Sequence, residues 1–305
     1  MTIVVGFAPD GRGRGVLHLS AMLARSAGDD LLVCAVVPAP WPPSPARVDA
    51  EYRAWLRGAA NEALEQARAR LPNDVPAQYV VREARSAPAG LLEVAEEHGA
   101  GLIVAGSSGG GVGHVSLGST TSRLLHSSPI PVALSPRGFR GRPGARVVRV
   151  TAAFSEGAHD LVVAAAAVAG QVGASLRLAS FAVRSRPPLT AGIGTAPERA
   201  VVQQWEQDIL AAARATLEEV EHLPTPPAAL TAVIGHGESW EEALEDVEWD
   251  AGDVLVVGSS SVGPIARVFL GSRSEKIVRH SPVPVVVVPR GAATEMAEQV
   301  VAGKE

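Results

Sequence analysis

Two stretches of glycine and serine stand out as able to do chemistry. One runs GSSGGGVGHVSLGST from Gly106 to Thr120, the other GSSSVGPIARVFLGS from Gly258 to Ser272. Glycine lets a backbone approach a ligand closely, and serine adds hydroxyl donors. Each stretch reaches Leu-Gly-Ser where a helical segment begins, at Gly118–Ser119 and Gly271–Ser272. Serine is a favoured helix cap, and the first-turn amides of a helix attract anions. The chemistry is that of holding a phosphate. A tight turn with a good cap explains the same residues equally well.

Groups for catalysis are sparse. His98, His114, His126, His236 and His280 are scattered, without the pairing of metal ligands. His114 and His236 fall in loop positions, where a solvated imidazole is the plainer reading. The spacing Gly113-x4-Gly118-Ser119-Thr120 is that of a P-loop without its lysine, which argues against a Walker-type NTPase. In GRGRG, from Gly11 to Gly15, the third glycine of a dinucleotide fingerprint would fall at Val16, and no acid follows the second strand. The SSGGG run resembles an ATP-pyrophosphatase loop but follows the fourth strand rather than the first. In ESWEEALEDVEWD the acids alternate with Trp240, Ala243, Leu244 and Val247 at helical spacing, as on a solvated helix face. Cys34, the single cysteine, lies in the apolar run LLVCAVV and reads as a small buried side chain.

The elements that must position the two loops occur twice. Aligning Gly106 with Gly258 and Pro131 with Pro284 superposes the second halves of two units after a one-residue gap. Unit one opens TIVVGFA, continues with a helix from about Arg14 to Ala27, then LLVCAVV; unit two opens RVVRVTAAF, then AHDLVVAAAAVAGQVG, then SLRLASFAV. A Pro-rich loop and a long helix follow in both. Val48, Tyr52, Trp55, Ala59 and Ala63 recur at helical spacing in one, and Val202, Trp205, Ile209, Ala212, Thr216 and Val220 in the other. One face of each helix is expected against a sheet, with Trp55 and Trp205 in the core. Third strands (AQYVVREA; LTAVIGHG), helices, fourth strands (GLIVAG; DVLVVG), the loops, last helices and fifth strands (IPVAL; VPVVVV) complete each unit. The expected fold is α/β: two tandem doubly wound domains, each with a five-stranded parallel sheet of order 3-2-1-4-5 and helices on both faces. Domain boundaries are expected at 1–135 and 147–290, with a linker at 136–146 and a polar tail at 291–305.

Composition fits this reading. The chain has 305 residues, 47% of them apolar and 4% aromatic, which suits valine-rich strands under alanine-rich helices. A net charge of -5 with both signs interspersed offers no basic face for nucleic acid or a membrane. No apolar stretch reaches the roughly 20 residues of a spanning helix, and no N-terminal signal pattern appears. A cytoplasmic protein is expected.

The repeated unit and its loop-helix-strand ending resemble the universal stress protein family in its tandem form, over nearly the whole chain. Members that bind ATP carry G-x2-G-x9-G-[S/T] between the fourth strand and the last helix, and an aspartate after the first strand contacts adenine. The resemblance implies nucleotide contacts at Gly258, Ser261, Gly271 and Ser272. In unit one it implies Gly106, Gly109, Gly118 and Ser119, with eight residues rather than nine before Gly118. The aspartate position falls on Ala8, two residues before Asp10, and on Ala153 in unit two. It also implies ATP as cofactor with Mg2+ beside it, and pairing of the fifth strands between the two domains or between chains of a homodimer. The function expected is a stress-response sensor or regulator that binds an adenine nucleotide. An interaction module that has lost the nucleotide is the alternative, and a slow ATPase ranks last.

Overall fold

The computed structural model describes residues 1–8, 13–39, 46–107, 113–155, 157–183, 195–259 and 270–302; 46–49, 195–201 and 301–302 are described by backbone alone. The first half runs β1 (Thr2–Gly6), α1 (Arg14–Ala27), β2 (Asp30–Pro38), α2 (Ala46–Arg70), β3 (Ala77–Ala84), α3 (Ala87–Glu97), β4 (Ala100–Gly106), α4 (Ser119–Ser127) and β5 (Val132–Ser135). The second half repeats it: β6 (Arg149–Ala153), α5 (His159–Gln171), β7 (Ser175–Val183), α6 (Thr195–Glu221), β8 (Leu230–Gly237), α7 (Trp240–Glu245), β9 (Asp253–Gly258), α8 (Ser272–His280) and β10 (Val285–Val288). A further helix, α9 (Arg290–Ala302), follows.

Each half has the expected strand order, 3-2-1-4-5, with parallel neighbours. The two sheets are continuous. β5 and β10 pair antiparallel, Leu134 opposite Val285 and Val132 opposite Val287, to make one ten-stranded sheet. Each fifth strand thereby covers the edge the other would expose.

Alternation along the strands decides what faces what. In β1, Ile3 and Val5 belong to the core layer under α1, α2, α5, α6 and α9, whereas Val4 belongs to the layer under α3, α4, α7 and α8. Helices therefore cover both faces. The buried stripe of α2 is Ala60, Ala63, Leu64 and Ala67. Trp55, expected in the core, is instead 64% exposed and stacks on Tyr52 at 6.0 Å between ring centroids. The small alanines let α2 approach the sheet closely, and that rotation turns both aromatics outward. Val48, on the same expected face, lies outside the residues whose side chains are described. Trp205 does pack, half-buried, against its core layer.

Residues read as a polar tail form α9, which buries Ala293 and Ala297 against α5. The stretch between the halves is docked rather than loose. Arg25 of α1 donates to the Ala145 carbonyl (2.7 Å), and the Val147 amide donates to Ser26 Oγ (2.8 Å).

Candidate functional site

Right-handed crossovers bring the carboxyl ends of β6, β7 and β9 and the starts of α5 and α8 to one edge of the second half. Gly258 closes β9, and the Ser259 amide donates to the Val288 carbonyl (3.0 Å). Gly271, in an extended conformation, is the cap of α8, so Ser272 is its first helical residue rather than its cap. The same holds for Gly118 and Ser119 at α4. A glycine cap has no side chain to offer, so neither helix start carries a capping hydrogen bond from its cap residue. The first intrahelical bond of α8 runs from Glu275 N to Gly271 O (2.9 Å), leaving the Ser272, Arg273 and Ser274 amides ahead of the ladder.

A tie repeated in both halves pins each helix start to the strand before it. Ser274 Oγ donates to the Gly258 carbonyl (3.1 Å), and Thr121 Oγ1 donates to the Gly106 carbonyl (3.3 Å). The hydroxyl three residues after each cap glycine was visible in the aligned repeats and is a site feature that sequence reasoning passed over.

A cavity of about 510 Å3 opens at this edge of the second half. That is within the roughly 300–1,000 Å3 range of small-molecule sites. Phe154, Leu161, Phe181, Ile277 and Val288 give it apolar walls, while Asp160, Ser259, Arg273, Ser274 and Arg290 supply polar groups. An adjoining cleft of about 310 Å3 shares Phe181 and Arg273 and adds Val183, Trp240, Ser272 and Lys276. Arg273 is the hinge between the two. Its guanidinium donates to the Phe181 carbonyl (3.1 Å) and stands 5.9 Å from the Trp240 ring centre, with Lys276 Nζ at 6.0 Å. Partial burial lowers the Arg273 pKa from its ordinary value, yet the long side chain reaches solvent and an arginine stays charged.

Two further bonds close the cavity wall. The Arg290 amide donates to Ser259 Oγ (3.1 Å), and Thr294 Oγ1 of α9 donates to Asp160 Oδ2 (2.7 Å). Of the residues read from the sequence, Gly258, Gly271 and Ser272 are brought to this edge; Ser261 lies outside the described residues. Ala153 lines the cavity with a methyl group where the family pattern places an aspartate. Asp160, Arg273 and Arg290 were not singled out from sequence, because charged residues in a helix's first turns read as ordinary solvated positions.

The first half is arranged differently. Gly106, Gly118 and Ser119 are in place, whereas Gly109 and Asp10 lie outside the described residues. Ser107 Oγ accepts from the Ser116 amide, and the loop is strapped to the chain leaving β5. Gly113 N donates to Arg137 O (2.8 Å) and Arg137 N to His114 O (3.1 Å). A Cβ at Gly106 would stand 2.8 Å from Val16 Cγ2, against 3.4 Å from Leu161 for one at Gly258. The end of β4 thus packs more closely on α1 than the end of β9 does on α5. His114 Nε2 lies 3.8 Å from Glu241 Oε1 across the two halves, and His236 bonds Glu206 (3.1 Å). Among the described residues no cluster of three His, Cys, Asp or Glu side chains could hold a metal ion, and no helix is long and apolar enough to cross a membrane.

This architecture is a duplicated doubly wound α/β unit, and comparison with known proteins gives its family. The universal stress protein family profile matches residues 1–136 and again 146–289. The chain belongs to the universal stress protein family, in tandem form. A universal stress protein of Mycobacterium tuberculosis strain H37Rv is 40% identical over 298 residues, 95% of this chain and 100% of that relative. A universal stress protein of Mycobacterium bovis matches with the same figures. In structure, a universal stress protein from Archaeoglobus fulgidus superposes with a TM-score of 0.59 at 19% identity, covering 94% of this chain and 98% of the other. A putative universal stress protein from Pseudomonas aeruginosa gives 0.55 at 16% identity, with 98% and 97% covered. At such identities the likeness is one of fold.

Proposed function

We propose that this stress protein binds an adenine nucleotide in its second half, and serves as a nucleotide-dependent sensor or regulator rather than an enzyme. The observation that carries the reading is the cavity of about 510 Å3 beside an α8 start whose cap residue offers no side chain. Its apolar walls suit a planar base. Gly258, Ser259, Gly271 and Ser272 would supply close backbone approach and donors to the phosphates, with Arg273 neutralising charge. Among the described residues, one carboxylate and no histidine line the cavity, so these supply no general acid–base pair for turnover. The strapping of the first loop to the linker favours one nucleotide per chain.

Native mass spectrometry of gently purified protein with added ATP tests this directly. One bound adenine nucleotide per chain is expected, with calorimetry giving the same stoichiometry. A clean unliganded mass, together with no heat of binding at millimolar ATP, refutes the reading and favours a nucleotide-free interaction module.

A further inference from the structure

α9 stands outside the repeated unit. The family profile ends at residue 289, and the helix begins at Arg290. It still builds part of the cavity, because Arg290 and Ala293 line it. Its hold on the rest of the chain is thin. Among its described side chains only Ala293 and Ala297 are buried, with Ala292 and Val300 packed in part on the same core layer. Alanine contacts take little apolar surface out of water, which places α9 toward the end of the stability range where local opening is easy. Two polar ties of α9 end at the cavity. Thr294 Oγ1 donates to Asp160 Oδ2 (2.7 Å) and the Arg290 amide to Ser259 Oγ (3.1 Å), and Asp160 and Ser259 are wall residues themselves.

We propose that α9 is a ligand-coupled gate: nucleotide binding favours its docked position on α5, and an empty cavity lets it open. This rests on the nucleotide reading above and adds how occupancy is passed to the surface. A ligand shifts a conformational equilibrium only by contacts that differ between the two states. Such contacts are present here. With α9 docked, Arg290 sets a cation beside an anionic ligand and Ala293 covers part of it; with α9 open, both side chains move into water. Opening also takes the Thr294 hydroxyl from Asp160, so the carboxylate charge meets the ligand less compensated. Each difference favours the docked state when ligand is bound. Occupancy then becomes visible from outside, because opening bares the strip of α5 covered by Ala293 and Ala297.

Hydrogen exchange of the full-length protein, read by mass spectrometry with and without saturating ATP, tests the coupling, with calorimetry alongside to show binding. Without ATP, the α9 amides are expected to exchange faster than those of α1 and α5. Saturating ATP should slow them about ten-fold, the worth of one charge-assisted contact. Coupling is reciprocal, so a chain held open should bind ATP about ten-fold more weakly. Ala297→Asp supplies that chain by placing an unpaired carboxylate at a position 7% exposed, and circular dichroism checks that the remaining helices persist. Unchanged α9 exchange in a wild type that binds ATP overturns the gate and leaves the nucleotide reading standing. So does a folded Ala297→Asp whose α9 exchanges freely but whose ATP affinity stays within about two-fold of wild type. The wild-type exchange needs no variant, and it decides alone if Ala297→Asp does not fold. A wild type with no heat of binding to ATP overturns the nucleotide reading, and the gate with it.

Discussion

Replacing Arg273 by alanine is the most direct perturbation of the proposed phosphate end. Arg273 lines both clefts, holds the Phe181 carbonyl at 3.1 Å and stands over Trp240. Two losses can be separated. The bond to Phe181 is a charged donor on a neutral acceptor at a cleft mouth, and its removal should lower folding stability by about 1 kcal/mol. The contact to a phosphate is charge-assisted but open to solvent, which puts it at the low end of the usual range, about 1.5 kcal/mol or roughly ten-fold in Kd. Arg273→Lys keeps the charge and loses the planar fork, so it should fall between wild type and alanine. Calorimetry at two salt concentrations gives the assay, since losing one phosphate contact should also flatten the salt dependence. An alanine variant that binds ATP within two-fold of wild type, at both salt concentrations, refutes the assignment of the phosphate to the start of α8.

Two further outcomes test the packing. Leu64, buried on the alanine stripe of α2, should cost about 2–5 kcal/mol when cut to alanine, whereas Trp55→Ala should stay within about 0.5 kcal/mol because Trp55 is largely exposed; urea denaturation of both checks which face of α2 meets the core. The Cys34 thiol is buried, and desolvation pushes its pKa up to about 12, so thiolate is scarce at pH 8. A disulfide reagent should react slowly with the native protein and promptly after denaturation; fast reaction in the native state would contradict the burial.

Much of the fold was legible because its signals were local and repeated. Short apolar runs gave β3, β7, β8 and β9 their bounds, and the glycine at Gly28, in a left-handed conformation, ends α1 where the helical pattern stops. Trp55 was misplaced because α2 carries two apolar stripes. Periodicity gives the period of a helix but does not rank a stripe of small alanines against one of aromatics. The stretch 291–305 reads as a polar tail or frayed helix for a related reason: Ala293 and Ala297 are a narrow stripe, enough to pack on alanine-rich α5 but weak against polar neighbours. At the site, the glycines announced themselves. Asp160 and Arg273 did not, since their roles depend on chain segments more than a hundred residues apart meeting at one edge.

The two halves differ in what the chain does after its fifth strand, and that difference accounts for the asymmetry of their edges. After β5 the chain turns back across its own loop, so that Arg137 pairs through its backbone with Gly113 and His114. After β10 it rises into α9, and among the described residues its backbone meets the loop's first residue through Arg290 N and Ser259 Oγ. In the first half a backbone pair occupies the edge and ties it to the linker, which is itself held by Arg25 and Ser26 of α1. In the second half a helix stands beside the edge, leaving the cavity between them and lending it Arg290, Ala293 and, through Asp160, Thr294. Duplication supplied two equivalent loops. The exit of the chain from each sheet decides that one loop is tied to the seam between the halves and that the other borders an open cavity.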